Sequence, residues 1–198
     1  MDLMGTSVVK GTLADGTEVR AVTVAAGTAL ETWRVLRDAH ATTGLWPFLV
    51  DPEEPTVLDK LPLSSEKRER HRGAAEIFAS GDVPTFHGEP RADQVSAAAL
   101  TTTIGLLPAE YGGVEVPGLL DWDGAPGTSG VEHTAVLADW RRRFGAELLT
   151  VTRDRIELRV PRPPTDPKLT ATVAREQVGY CPGVGLPSTG TLWGFQWE

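Results

Sequence analysis

Residues 129–145 constrain the fold of this chain more than any other stretch. Ser129 is followed three residues later by Glu132, the spacing of a capping box, and Gly145 stands where a helix ends on left-handed backbone. Between them Val136, Leu137, Trp140 and Phe144 recur at helical spacing, which predicts a helix with one apolar face. The residues that follow must cover that face. Residues 147–152 and 155–160 read as a hairpin in which Ile156, Leu158 and Val160 alternate with Glu157 and Arg159, so one buried and one solvated face are expected. Asp166-Pro167 supplies an N-cap and a proline at the first helical position, for a helix to about residue 178. A strand over 192–197 closes the chain, with Trp193, Phe195 and Trp197 on one side of it. This order predicts an α+β fold, with an antiparallel or mixed sheet built from hairpins and helices mainly on one face.

The first quarter of the chain has a similar grammar. Residues 7–24 predict a hairpin about Asp15-Gly16, a pair that favours a tight primed turn. Thr28 and Glu31 suggest a second capping box, opening a helix whose apolar stripe is Leu30, Trp33, Leu36 and His40 and whose end is Gly44. Residues 45–50 are nearly all apolar, as in a strand buried on both faces. Leu45-Trp46-Pro47-Phe48 also echoes Leu192-Trp193-Gly194-Phe195, which raises the prospect of two pseudo-repeated ββαβ halves.

The middle of the chain is less regular. Residues 52–55 read as a loop, residues 65–80 as a mostly exposed helix anchored by Ile77 and Phe78, and residues 93–98 as a short helix. A strand is expected over 100–107, then a glycine- and proline-rich loop over 108–130 with one helical turn at Leu119-Leu120. The expected organisation is an N-terminal ββαβ-like lobe with a helical extension over 1–107, the loop over 108–130, and a C-terminal αββαβ lobe over 131–198.

Charge and composition narrow the function. Acidic residues outnumber basic ones by 27 to 19, a net charge of -8. Such a surface repels phosphate backbones and anionic headgroups, so neither nucleic acid nor membrane is an expected partner. The densest basic stretch, residues 67–72, is interrupted by Glu69 and reads as a solvated helix face. Neither a signal-peptide pattern nor a membrane-length apolar run is present, which makes the cytoplasm the expected location.

From about Leu119 the chain resembles an actinobacterial family catalogued as domain of unknown function 4253. The resemblance is carried by Trp122, Gly124, Trp140, Phe144-Gly145-Ala146, Pro163-Pro164, Ala174, Tyr180-Cys181-Pro182 and the closing Trp193-Gly194-Phe195-Gln196-Trp197-Glu198. Thr43-Gly44-Leu45-Trp46-Pro47 is similar to the N-terminal part of longer members. Two departures stand out. Gly183 follows Cys181-Pro182 where members usually carry an acid, and only residues 184–190 stand where members tend to insert a helix. The resemblance implies no activity, cofactor or partner.

No G-x-S-x-G, Walker, G-x-G-x-x-G, H-E-x-x-H or C-x-x-C pattern is present, and four scattered histidines with one cysteine predict no zinc site. No cofactor is implied. Cys181 is the one intrinsically nucleophilic side chain, but it follows a helix C-terminus, where the dipole disfavours thiolate; a buried structural thiol is the expected reading. Asp121-Trp122-Asp123-Gly124 sets two carboxylates about an indole, suited to a cation or a hydroxylated ligand and equally to a turn. Tyr111 before Gly112-Gly113 suits a recognition loop. The candidate binding residues are therefore Tyr111, Asp121, Trp122, Asp123 and Tyr180.

The expected function is a cytoplasmic protein-binding module, regulatory or toxin-neutralising in an immunity-like way. Its acidic surface and the 108–130 loop would meet another protein, a basic one in the simplest case. The rival is a small-ligand binder or enzyme with its site near Asp123, Tyr180 and Cys181. A deep pocket with converging polar groups would favour the rival, and a shallow acidic or aromatic patch the module.

Overall fold

The computed structural model describes residues 6–51, 57–60, 71–79, 100–184 and 189–197. The N-terminal hairpin is β1 (Val8–Thr12) and β2 (Glu18–Thr23), followed by α1 (Ala29–Asp38), α2 (His40–Thr43) and β3 (Leu45–Leu49). Next come a 3-10 turn (Val57–Lys60), α3 (Ala74–Ala79), β4 (Thr103–Pro108) and α4 (Val116–Leu119). The C-terminal elements are α5 (Gly130–Phe144), β5 (Glu147–Val151), β6 (Arg155–Arg159), α6 (Pro167–Tyr180) and β7 (Leu192–Gln196). The fold is α+β. Its strands form one seven-stranded mixed sheet in the order β1-β2-β4-β3-β5-β6-β7, in which β3 and β5 are the parallel pair.

The sheet is continuous across both predicted lobes, and its weakest ladder joins them. β3 and β5 share a single paired position, Leu49 with Thr150. The rest of that seam is closed by other groups: the Trp46 indole donates to Leu148 O at 3.0 Å, and Leu148 N donates to Gly112 O at 2.8 Å. A side chain thus supplies a hydrogen bond that the ladder does not. Buried carbonyls need such donors because no water reaches them.

Indoles recur in this role. Trp33 donates to Pro47 O at 2.9 Å, Trp122 to Thr152 O at 2.6 Å, Trp140 to a Glu176 carboxylate oxygen at 3.1 Å and Trp193 to Gly190 O at 3.0 Å. All six tryptophans are buried. Each of these five rings fills apolar volume; the N–H of Trp33, Trp46, Trp122 and Trp140 also ties two segments of the chain together, while that of Trp193 closes a local turn.

The strongest sequence reading holds in detail. Ser129 and Glu132 form the full capping box and Gly145 caps α5 on left-handed backbone. Val136, Leu137, Trp140 and Phe144 are buried on it. Trp140 is sandwiched between Phe78 and Phe195, with ring centroids 5.5 and 5.2 Å away and planes within 19° and 15° of parallel. Asp166 caps α6 through the Lys168 and Leu169 N–H groups, as expected, and the helix continues to Tyr180.

Five local readings are corrected. The first turn is wider than a two-residue primed turn: Gly16 N donates to Leu13 O, Leu13 N donates to Thr17 O, and Gly16 alone takes positive φ in it. That is a turn followed by a one-residue bulge. Thr28 sits on helical backbone and makes no side-chain cap; its hydroxyl donates to Ala25 O, because capping requires extended geometry. The helix read over 65–80 is unwound at residues 71–73 and regular over Ala74–Ala79; residues 65–70 and 80 lie outside the described residues, as do the predicted helix over 93–98 and the loop over 52–55. Glu157 is 2% exposed, so the polar face of β6 is covered at its centre while Arg155 and Arg159 beside it stay partly exposed; its carboxylate accepts from the Thr150 hydroxyl at 2.7 Å and from Arg155 at 3.1 Å. Finally, the two halves differ in topology. β4 stands between β2 and β3, whereas β5, β6 and β7 are direct neighbours, so the echo between β3 and β7 lies in sequence rather than in strand order.

Candidate functional site

The residues singled out in the sequence fall into three separate places. The first is interior. Tyr180 and Cys181 end α6, which packs the end of the helix against β7, and both are buried. The Tyr180 hydroxyl lies 2.6 Å from His133 Nδ1, and the imidazole is ringed by Trp122 and Trp197, with centroids 4.7 and 5.3 Å away. Burial, opposed only in part by the charge of Glu132, lowers His133 to about 3. Burial likewise raises the Tyr180 phenol well above its usual range, so both groups are neutral at ordinary pH. Cys181 donates its S–H to Gln196 O at 3.1 Å, and burial pushes the thiol up to about 11. A thiol of that kind is a poor nucleophile near neutrality. Trp122, read as part of a binding loop, belongs to this interior cluster.

The second place is the end of the sheet seam. Tyr111 is 43% exposed and donates to the buried Glu147 carboxylate at 3.1 Å. Arg159 and Arg37 reach the other oxygen of Glu147 at 2.7 and 3.4 Å, while Arg141 lies over the Tyr111 ring, its guanidinium carbon 5.2 Å from the centroid. Burial and the neighbouring Glu147 charge raise the phenol above its ordinary value. This network fastens α1, the 110–113 loop and β5 together. Tyr111 and Asp121 are therefore not parts of one site.

The third place is a surface recess of about 340 Å³, lined by Leu13, Ala14 and Asp15 of the first turn, residues 118–121 and Val131. Its far wall is built by close packing. Gly130 opens α5 against the α4 backbone so tightly that a Cβ there would stand 2.4 Å from Pro117 O. The chain between these helices then turns sharply at Asp121, whose φ of 47° makes it the one non-glycine residue on left-handed backbone among those described. Aspartate tolerates this conformation better than most residues. The turn sends Trp122 inward and leaves Asp121 on the recess and Asp123 exposed.

Asp121 is half-buried, and among the described residues no hydrogen bond or ion pair meets its carboxylate. Burial, reinforced by the Asp123 charge, raises it above the usual carboxylate range. Asp15 differs: it is exposed, accepts the Thr17 N–H at 2.9 Å and is lowered chiefly by that bond. Leu119 and Val131 present apolar surface at the mouth, 37% and 49% exposed. Among the described residues no three His, Cys, Asp or Glu side chains gather as ligands of a metal ion.

Sequence reasoning found Asp121 and missed the partners that make it a recess. Asp15 reads as a turn former, and the local pattern gives Leu13 and Val131 no special role. The usable signal was an apolar residue, Val131, on the polar side of the α5 pattern.

The region from β4 to the end of β7, residues 103–196, matches the model of a family described as Domain of unknown function (DUF4253). No curated protein and no solved structure matches the chain. Among the described residues, no helix is long and apolar enough to cross a membrane.

Proposed function

We propose that this chain is a cytoplasmic protein-binding module that engages a basic partner through the acidic face formed by the first hairpin turn and the 108–130 loop. One concrete form of the proposal is neutralisation of a basic toxin; another is regulation of a basic partner protein. The observation that carries the reading is the open recess at Asp15 and Asp121, lined by aliphatic residues and two carboxylates on a chain of net charge -8. Binding faces combine apolar area with charge complementarity, which steers encounter and excludes wrong partners.

The residues of the rival reading are divided between inside and outside. Tyr180 and Cys181 are buried and Asp123 is exposed, an arrangement with less support for an enzyme site.

The test is affinity capture from the native cell extract at low and high salt, comparing wild type with Asp121→Lys/Asp123→Lys. A basic protein retained by wild type at low salt, released by salt and lost by the double variant supports the module. Retention of the same proteins by both forms, or of none above background, counts against it.

A further inference from the structure

We infer that the recess between the first hairpin turn and the 118–121 loop seats one lysine or arginine side chain of the partner. Asp121 and Asp15 are its counter-ions, and Leu13, Leu119 and Leu120 lie along its aliphatic stem. This rests on the protein-binding reading and gives it a chemistry at one position.

The shape and lining argue for a long side chain with a charged end. The recess holds about 340 Å³ and is lined by aliphatic residues with two carboxylates. Lysine and arginine carry three or four methylene-like carbons that shed water on such a floor while their heads stay at the rim. Among the described residues nothing cationic lines the recess, so none of them offers an anion a counter-charge there. Asp121 supplies the second argument. It is a half-buried carboxylate that meets no hydrogen bond or ion pair among the described residues, and its backbone is held in the left-handed region. Removing a charge from water without a partner is costly, and an arriving ammonium or guanidinium offsets that cost.

The rim geometry also separates the two acids. Asp15 accepts the Thr17 N–H and is also drawn on by the Thr17 hydroxyl, which fixes its carboxylate in place as a charge beside the recess. Asp121 has both oxygens available among the described residues. A divalent metal would call for more oxygen ligands than this pair offers, whereas one ammonium with three donors is matched to it.

The probe is a blocked Gly-Lys-Gly tripeptide, with Gly-Arg-Gly and the uncharged Gly-norleucine-Gly as companions, titrated into the whole chain and followed by amide NMR shifts. A lone side chain binds weakly, so titrations run to on the order of 10 mM. The expected result is saturable shifts at the amides of Gly118, Asp121 and Val131 with the lysine or arginine peptide and little with norleucine. Asp121→Asn keeps a residue that tolerates left-handed backbone and should weaken binding about tenfold, as loss of a charge-assisted bond does. Glu31→Gln, on the exposed side of α1, should leave it unchanged. Butylammonium serves as the free-amine arm: equal or tighter binding than the lysine peptide would assign the recess to a small amine and overturn the partner assignment. No shift at these amides, equal shifts with norleucine, or indifference to Asp121→Asn would also overturn it. Those outcomes leave the module reading to the capture experiment, which uses the native partner and does not depend on this peptide.

Discussion

The Tyr180 hydroxyl and His133 Nδ1 stand 2.6 Å apart in the interior, and His133 Nε2 meets no hydrogen-bond partner among the described residues. This pairing fixes the tautomer. Were Nδ1 protonated, the Tyr180 O–H and the Nε2 lone pair would both go unsatisfied. With the proton on Nε2, the phenol donates to Nδ1 and only one N–H is left, among the rings of Trp122 and Trp197, where an N–H can meet a π face. Both members of this buried pair are neutral at ordinary pH.

His133 should set part of the acid sensitivity. Its folded value is about 3 against an ordinary 6.5. Between those limits the unfolded chain binds a proton that the folded chain refuses, so stability declines as pH falls below about 6.5, by at most about 1.4 kcal/mol per pH unit. His133→Phe should be less stable at pH 7 and show a shallower decline between pH 6 and 4. Urea midpoints across that range check it; parallel curves for the two proteins would contradict it.

Glu132 acts lower on the pH scale. Burial alone would raise its carboxyl, but hydrogen bonds from Arg72 and from the Ser129 N–H outweigh that and hold it at about 2. A carboxylate lowered from 4.5 contributes stability that is complete above the ordinary value and is lost as pH falls toward 2. Glu132→Gln should cost about 2–3 kcal/mol at pH 7. Its deficit relative to wild type should shrink below about pH 4, and a deficit constant with pH would contradict this account.

Trp46→Phe removes the indole donor to Leu148 O while keeping most of the ring. A buried carbonyl left without that bond should cost about 1–3 kcal/mol. The loss should appear in amide exchange as weaker protection on both sides of the β3/β5 seam. Protection equal to wild type there would show that the ladder alone holds the halves together.

Gly105 faces Phe48 across β3 and β4, and a Cβ added there would lie 2.4 Å from the ring. Gly105→Ala should therefore destabilise by about 1–3 kcal/mol. Adding Phe48→Leu should recover part of the loss, a coupling that the double-mutant cycle reads directly.

Cys181 should be silent toward thiol reagents in the folded protein. Its thiol is buried, bonded to Gln196 O and raised to about 11. At pH 8 labelling should proceed only through opening of the structure and become rapid in denaturant. Fast stoichiometric labelling of the native chain would revive Cys181 as a reactive group.

Local sequence determined the elements whose signals lie within a few residues of one another. The α5 cap and stop, the Asp166-Pro167 start of α6, and the burial of Trp33, Trp140, Trp193 and Trp197 follow from side-chain spacing and backbone preference alone. What only the tertiary structure decided depends on residues far apart in the chain. β4 enters between β2 and β3, the second face of β6 is covered around Glu157, and Asp15 is carried to the same recess as Asp121. Spacing along a strand reports which residues share a face, but not whether a second layer covers that face. A turn aspartate likewise has the same local signature whether it meets open water or forms one wall of a surface recess.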